Sequence, residues 1–218
     1  MNASGIRRSI LDIYERYRIP IHLRMHMVRV AGVVSLVLSR WNGPRVDAEV
    51  CVAAALVHDL GNMVKIRIDR SENVALFSSY PEGLQYWKRV HDEAVARYGC
   101  DDARATLAML DELDVEDAVV SLVNVHGIDG VENVMRNGSF EAKILVFADH
   151  RVAPHGIVSL DERCRDALVR YGSVFPYARF LAVGREIGEQ VLAHTDLVQE
   201  ELGDAVVEPQ MREFRYLL

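Results

Sequence analysis

The sequence has few features of a secreted or membrane-spanning protein. Its 218 residues include three scattered cysteines, Cys51, Cys100 and Cys164, which form neither a CxxC pair nor a disulfide framework. A reducing, cytoplasmic location is therefore expected. The charged N-terminal segment lacks the apolar run of a signal peptide, and no stretch is expected to reach the roughly 20 apolar residues that span a bilayer. These absences predict a soluble protein that does not bind membranes.

The chain also lacks an excess of basic residues, because 32 Asp and Glu outnumber 25 Lys and Arg. The formal net charge is −7, which argues against the nonspecific phosphate contacts of nucleic-acid-binding proteins. A small anionic substrate stays compatible with this charge, because a bound metal ion can dominate the local field. We therefore expect a small-molecule substrate and no nucleic-acid partner.

The common nucleotide-binding and hydrolase motifs are absent. The chain contains no GxxxxGK[ST], no GxGxxG after a strand and no GxSxG. Aromatic residues make up only 7% of the chain, and apolar residues recur at helical rather than strand spacing. This pattern favours helices packed on helices and predicts a single all-α domain.

The predicted helices cover most of the chain. They span about 6–17, 21–38, 46–60, 84–98, 102–113, 115–125, 139–153, 160–171 and 176–201. The third, containing AEVCVAAALVHDL, is apolar nearly all round and predicts a central buried helix. Residues 67–83 are expected to be the most loop-like internal segment, and residues 206–218 are ambiguous.

Polar residues interrupt the apolar helices at three places. His58 and Asp59 end the run CVAAALV just before Gly61-Asn62, His26 begins the apolar face of HMVRVAGVV, and Asp149 follows the apolar run ILVFA in KILVFADHRVAP. An imidazole–carboxylate pair at the end of a buried helix is costly unless it is used. Imidazole and carboxylate groups are both ligands for first-row metal ions, so the pattern predicts a metal site.

In its order of His, His-Asp and Asp on apolar helices, the sequence resembles the HD superfamily of metal-dependent phosphohydrolases. The matching segments are HMVRVAGVV, AALVHDLGNMVK and KILVFADHRVAP. The resemblance implies an HD-domain helical bundle in which His26, His58, Asp59 and Asp149 converge on a metal ion. The chain lacks the GYP signature of the cyclic dinucleotide phosphodiesterases in this superfamily.

The resemblance extends to a six-ligand, dinuclear pattern. His91 in WKRVHDEAVARYG and His126 in SLVNVHGIDG lie between the His-Asp pair and the last Asp. By resemblance, Asp59 would bridge two metals and these two histidines would complete the second site. The context also looks like bacterial HD hydrolases of diadenosine tetraphosphate. The expected cofactors are one or two divalent ions among Fe, Mn, Mg, Ni, Co and Zn.

The expected activity is hydrolysis of a nucleotide or other phosphate ester by a metal-activated water. Asp59 would bridge or orient the metals, and the cations Lys65, Arg29 and Arg151 are candidates for contacts with phosphate oxygens. Two alternatives stay open: a mixed-valent di-iron oxygenase of the HD type and a non-catalytic module that senses metal or nucleotide. A homodimer is also left open.

The predicted organisation has three parts within one domain. Residues 1–20 form an N-terminal helix, residues 21–175 the HD metal-binding domain, and residues 176–218 a C-terminal helical extension packed on the same domain.

Overall fold

The computed structural model describes residues 1–125, 130–172 and 176–217. The first half of the fold contains α1 (Ala3–Arg16), α2 (Ile21–Ser39), α3 (Ala48–Val57), a 3-10 helix (Leu60–Lys65), α4 (Ser71–Ser78), α5 (Gly83–Tyr98), α6 (Asp102–Glu112) and α7 (Asp117–Val125). The second half contains α8 (Val131–Asn137), α9 (Phe140–Asp149), β1 (Val152–Ala153), β2 (Gly156–Ile157), α10 (Leu160–Tyr171), α11 (Tyr177–Leu192), α12 (Asp204–Met211) and short 3-10 helices at Gln199–Glu201 and Arg212–Leu217. The all-α prediction is confirmed.

Helix α3 lies at the centre of the fold. Its side chains from Val50 to Val57 are all buried, and it packs against α1, α2, α7 and α9. The Asp47 carboxylate caps its first turn by accepting a hydrogen bond from the Val50 amide. The Tyr14 hydroxyl of α1 donates to the Leu56 carbonyl at 2.7 Å. The apolar run that predicted a central helix therefore does form the middle of the core.

Helix α2 corrects one expectation from the sequence. By length and composition alone it could cross a membrane, whereas the sequence predicted no stretch near that length. Core helices of soluble proteins meet the same criterion, and more than half of this apolar stretch is buried. Helix α2 packs against α3, α9 and α12, so it is part of the helical core of this fold.

Residues 67–83 are more ordered than expected, because they contain α4. Phe77 of this helix is fully buried and lies in a small second core with Met63, Ile68, Trp87 and Val90. Trp87 and Val90 belong to α5, so the segment gains its order from contacts that no local pattern in SENVALFSS reveals. Helix α8 was likewise not predicted.

Two predicted helices end earlier than expected. Helix α9 stops at Asp149 instead of continuing towards Pro154, and the chain turns into the antiparallel β1–β2 hairpin, which pairs Val152 with Ile157. Helix α11 ends at Leu192 instead of reaching residue 201. The ambiguous C-terminal residues form α12 and a 3-10 helix, and α12 packs against α2.

Gly61 sits where the 3-10 helix touches α6. A Cβ atom on this residue would lie 2.4 Å from the Thr106 nitrogen and 2.5 Å from the Asp102 carbonyl oxygen. These are backbone atoms, which cannot rotate away. The Gly61 amide also donates to the Thr106 hydroxyl at 2.9 Å, so α6 fixes the turn that follows His58 and Asp59.

We predict that Gly61→Ala lowers the free energy of unfolding by about 3 kcal/mol, because the added methyl group forces two backbone segments apart. Urea unfolding measures this change. Gly203→Ala is the matched control, since nothing lies within 4 Å of a Cβ at that position. Equal effects of the two substitutions would contradict the close-approach argument.

Candidate metal centre

Four side chains from three helices meet at one end of α3. His26 lies on α2, His58 is the C-terminal cap of α3, Asp59 precedes the 3-10 helix, and Asp149 is the last residue of α9. The backbone of Asp59 (φ −116°, ψ 22°) departs from the α-helix. Because the backbone changes direction there, two adjacent side chains that would diverge on a regular helix reach the same site.

The ring nitrogens and carboxylates of these residues lie close together. His26 Nε2 is 3.3 Å from Asp59 Oδ2 and 3.1 Å from Asp149 Oδ1. His58 Nε2 is 3.6 Å and 3.8 Å from the same two oxygens. His58 is fully buried, whereas the side chains of His26, Asp59 and Asp149 are 15–19% exposed. The site is therefore buried on one side and reachable from solvent on the other.

The main chain fixes the orientation of the His58 ring. His58 Nδ1 lies 2.8 Å from the Ala55 carbonyl oxygen, to which it can only donate. Nδ1 therefore carries a proton, and Nε2 is the nitrogen that faces Asp59 and Asp149. This arrangement of a metal-binding histidine, held through its second nitrogen by a carbonyl, is common in metal sites.

Charges at the site favour a bound cation. Burial by itself would lower the pKa of His58, but Asp59 and Asp149 outweigh burial and raise the pKa to about 9. Burial opposes ionisation of Asp59 and Asp149, yet the neighbouring His58 and His26 hold the pKa of each carboxyl group below its ordinary value. Two carboxylates thus retain their negative charge in a buried place, and a proton on His58 partly balances it.

The same atoms fit a divalent ion. The ligand atoms of His26, His58 and Asp59 lie within 4.8 Å of one another, as in groups that can hold a metal ion. Asp149 supplies a fourth ligand atom, an oxygen near both ring nitrogens. A mixture of imidazole and carboxylate ligands suits several first-row metals. An ion in this place would take over the role of the proton on His58.

Of the two further histidines of the six-ligand pattern, the structure describes only His91. His91 on α5 makes its contact with Asp92, at 3.1 Å between Nδ1 and Oδ1, and is not part of the cluster of His26, His58 and Asp59. His126 lies outside the described residues. A second metal bound by these two residues therefore stays a prediction.

The three candidate cations have different surroundings. Lys65 pairs with Asp102 at 2.6 Å, and its charge contributes to lowering the pKa of Asp59. Arg29 lies one turn after His26 and donates to the Pro154 carbonyl at 3.2 Å. Both stay candidates for contacts with a substrate.

Arg151 has a structural environment instead. Its residue surface is 3% exposed, and its guanidinium donates to the carbonyls of Val158, Gln199 and Leu202. Burial also lowers its pKa. Because these main-chain acceptors engage the guanidinium, Arg151 ties the C-terminal segment to the β1–β2 hairpin, and nothing in its contacts supports the predicted role in binding phosphate.

Sequence patterns did not point to Asn62, a buried polar residue in the turn that follows Asp59. It is 7% exposed, and its Oδ1 atom is buried without a hydrogen-bond partner among the described residues. Its backbone amide donates to the Asp59 carbonyl at 3.1 Å, so Asn62 lies one turn of the 3-10 helix after Asp59. The sequence signal that could have identified Asn62 is its place as a polar residue between Gly61 and the apolar pair Met63-Val64.

His22 lies one helical turn before His26, next to the site. Its Nδ1 is 2.8 Å from the Tyr80 hydroxyl, and its ring packs edge-on against Phe77. Burial, together with the nearby His26, lowers the pKa of His22 to about 4. The ring is thus neutral over most of the physiological pH range and connects α2 to the small second core.

This lowered pKa predicts an acid-sensitive contribution to stability. A histidine with a pKa near 4 when folded and 6.5 when unfolded stabilises the fold above pH 6.5. That contribution is lost as the pH falls towards 4, at a cost of roughly 2–3 kcal/mol. His22→Asn should therefore lose less stability than wild type between pH 7 and pH 4 in urea unfolding. The exposed His155→Asn is the control, and an unchanged pH dependence in His22→Asn would refute the assignment.

Comparison with known proteins gives one match. Residues 24–153, more than half of the chain, match the family model described as HD domain. The match begins just before His26 and ends in β1, so it includes all four residues of the cluster. No curated protein and no solved structure matches the chain significantly.

Proposed function

Because the chain belongs to the HD domain family, whose members are generally metal-dependent phosphohydrolases, we propose that it hydrolyses a phosphate ester, with a nucleotide as the expected substrate. The observation that carries this proposal is the approach of two imidazole nitrogens to two carboxylate oxygens, within 3.1–3.8 Å, at a partly exposed site. This set of atoms is suited to a divalent ion beside a space open to substrate.

His26, His58, Asp59 and Asp149 would hold the ion. A divalent ion in this place supplies Lewis acidity, which polarises a phosphoryl oxygen and lowers the pKa of water. The protein contributes the orientation of these groups. The Ala55 carbonyl fixes the His58 ring, and the contact between Gly61 and α6 fixes the turn that carries Asp59. Such preorganisation limits the rearrangement needed during the reaction.

Cationic side chains would receive the substrate. Arg29 is on the same helix as His26 and one turn away, where its planar guanidinium can form paired hydrogen bonds to a phosphate. Lys65 is near enough to Asp59 to influence its pKa, and it would balance part of the negative charge of the substrate. A second ion would require His91 and His126, and comparison of the metal content of wild type and His91→Ala tests for it.

The test is phosphate release from a panel of nucleotides, including diadenosine tetraphosphate, with each of Mn, Fe, Co, Ni, Mg and Zn. We expect turnover of at least one substrate by the metal-loaded protein and none by the His58→Ala/Asp59→Ala double variant. Activity retained by that variant would defeat the proposal. Oxygen consumption and a mixed-valent EPR signal, without phosphate release, would identify an oxygenase. Tight nucleotide binding without turnover would identify a sensor.

A further inference from the structure

Arg29 has more hydrogen-bonding capacity than its surroundings use. Its side chain is 18% exposed, yet its one hydrogen bond among the described residues goes from Nη1 to the Pro154 carbonyl at 3.2 Å. The Nε atom is buried and has no hydrogen-bond partner in this part of the chain. A guanidinium carries five N–H donors. Arg29 is therefore a largely buried cation that is well placed to bind an additional acceptor.

The nearest carboxylate comes from outside the family match. Asp204, the first residue of α12, places Oδ1 3.8 Å from Arg29 Nε, which is an ion pair too long for a direct hydrogen bond. The HD match ends at residue 153. The charge that faces Arg29 is therefore supplied by a C-terminal segment that lies outside this match.

The position of Asp204 is well fixed. Its Oδ1 accepts a hydrogen bond from the Ile157 amide at 3.2 Å. A Cβ atom on Gly156 would lie 2.4 Å from Asp204 Oδ2. The glycine therefore leaves space in the hairpin for this carboxylate. Arg151 joins the same hairpin to the carbonyls of Gln199 and Leu202 just before Asp204.

Helix α12 is also seated directly on the helix that carries His26 and Arg29. A Cβ atom on Gly32 of α2 would lie 2.7 Å from Met211 Cγ and 2.8 Å from Val207 Cγ1. Val207 is fully buried and Met211 nearly so. This close packing keeps the beginning of α12 at a constant distance from Arg29.

From these contacts we propose that Arg29 binds the phosphate group of the substrate and that Asp204 competes with that phosphate for Arg29. The inference rests on the proposed function, and it names a specificity residue outside the HD match. The Asp204 side chain is 57% exposed, and a partly exposed ion pair at this distance is weak. A phosphate can displace it, since two parallel hydrogen bonds to a guanidinium are stronger than one long contact.

The experiment measures inorganic phosphate binding to the manganese-loaded protein by calorimetry, and KM and kcat for the best substrate. Arg29→Gln should weaken phosphate binding and raise KM by about tenfold or more. Arg29→Lys should retain part of the affinity, because the charge stays while the planar fork is lost. Asp204→Asn should tighten phosphate binding and lower KM about three- to tenfold with little change in kcat. The asparagine Oδ1 can still accept from the Ile157 amide, so the hairpin contact is retained.

The double variant Arg29→Gln/Asp204→Asn separates competition from a general charge effect. If Asp204 acts through Arg29, its removal has no effect on phosphate affinity in the Arg29→Gln background. If Asp204→Asn still tightens phosphate binding to the same extent in that background, the inference is overturned. Asp196→Asn is the matched control, since Asp196 also belongs to the C-terminal segment but pairs with Arg40 at 3.1 Å.

The two proposals fail in different ways. Arg29-dependent phosphate binding without hydrolysis of any substrate would refute the proposed function and leave this inference standing. If the protein hydrolyses a substrate but Arg29→Gln changes neither its phosphate affinity nor its KM, the inference alone is refuted. A wild-type protein that binds no phosphate would also refute the inference. Unfolding curves of each variant show whether a change in affinity arises from loss of the fold.

Discussion

Asp59→Asn is expected to lower the rate of phosphate release by about a thousandfold or more and to remove most of the bound metal. The substitution keeps the shape of the side chain and removes its charge. Metal ions contribute several kcal/mol to the stabilisation of a phosphoryl-transfer transition state, and each 1.36 kcal/mol corresponds to a factor of about ten in rate. Elemental analysis of the purified variant, together with its turnover, measures both effects.

The chain supplies a matched control for this prediction. A second His-Asp dipeptide, His91-Asp92, lies on α5. Its Asp92 side chain is 64% exposed, and it is not part of the cluster of His26, His58 and Asp59. Asp92→Asn should change turnover by no more than about twofold, as is usual for a surface substitution. Similar losses in Asp59→Asn and Asp92→Asn would contradict the assignment of the site.

Metal affinity should rise steeply with pH and level off only near pH 9. Without metal, the neighbouring carboxylates raise the pKa of His58 to about 9 despite its burial. A metal ion binds the neutral ring, so below that pH each binding event displaces a proton from His58. Well below this pKa the apparent association constant therefore increases about tenfold per pH unit, and from pH 7 to pH 9 it increases roughly fiftyfold.

Competition with a chelator of known affinity, between pH 6 and pH 9.5, measures this dependence. An ordinary histidine with a pKa near 6.5 would give a plateau above about pH 7. A plateau there would show that Asp59 and Asp149 do not hold a proton on His58. His22→Asn is the control variant, because His22 is not in the metal-binding group, and it should retain the same slope.

Local patterns predicted much of the secondary structure. The apolar run before His58 predicted α3, and the side chains of Asp101 and Ser139 cap α6 and α9. Such signals act through neighbouring residues, so the sequence displays them directly. The same signals missed α4, whose order depends on burial of Phe77 against Trp87. They also wrongly predicted that α9 continues past Asp149, where the chain instead turns into the β1–β2 hairpin.

By itself, the sequence determined the kind of chemistry: an imidazole and a carboxylate at the end of a buried helix, with further metal-binding residue types in a family order. The family order had already grouped His26, His58, Asp59 and Asp149, and the tertiary structure brings their side chains together. Only the tertiary structure decided that His91 is not part of the cluster of His26, His58 and Asp59 and that main-chain carbonyls engage Arg151. It also brought Asp204 to Arg29 across 175 positions of the chain (204 minus 29). The physical reason is that helix packing fixes distances between side chains far apart in sequence, and no local pattern carries those distances.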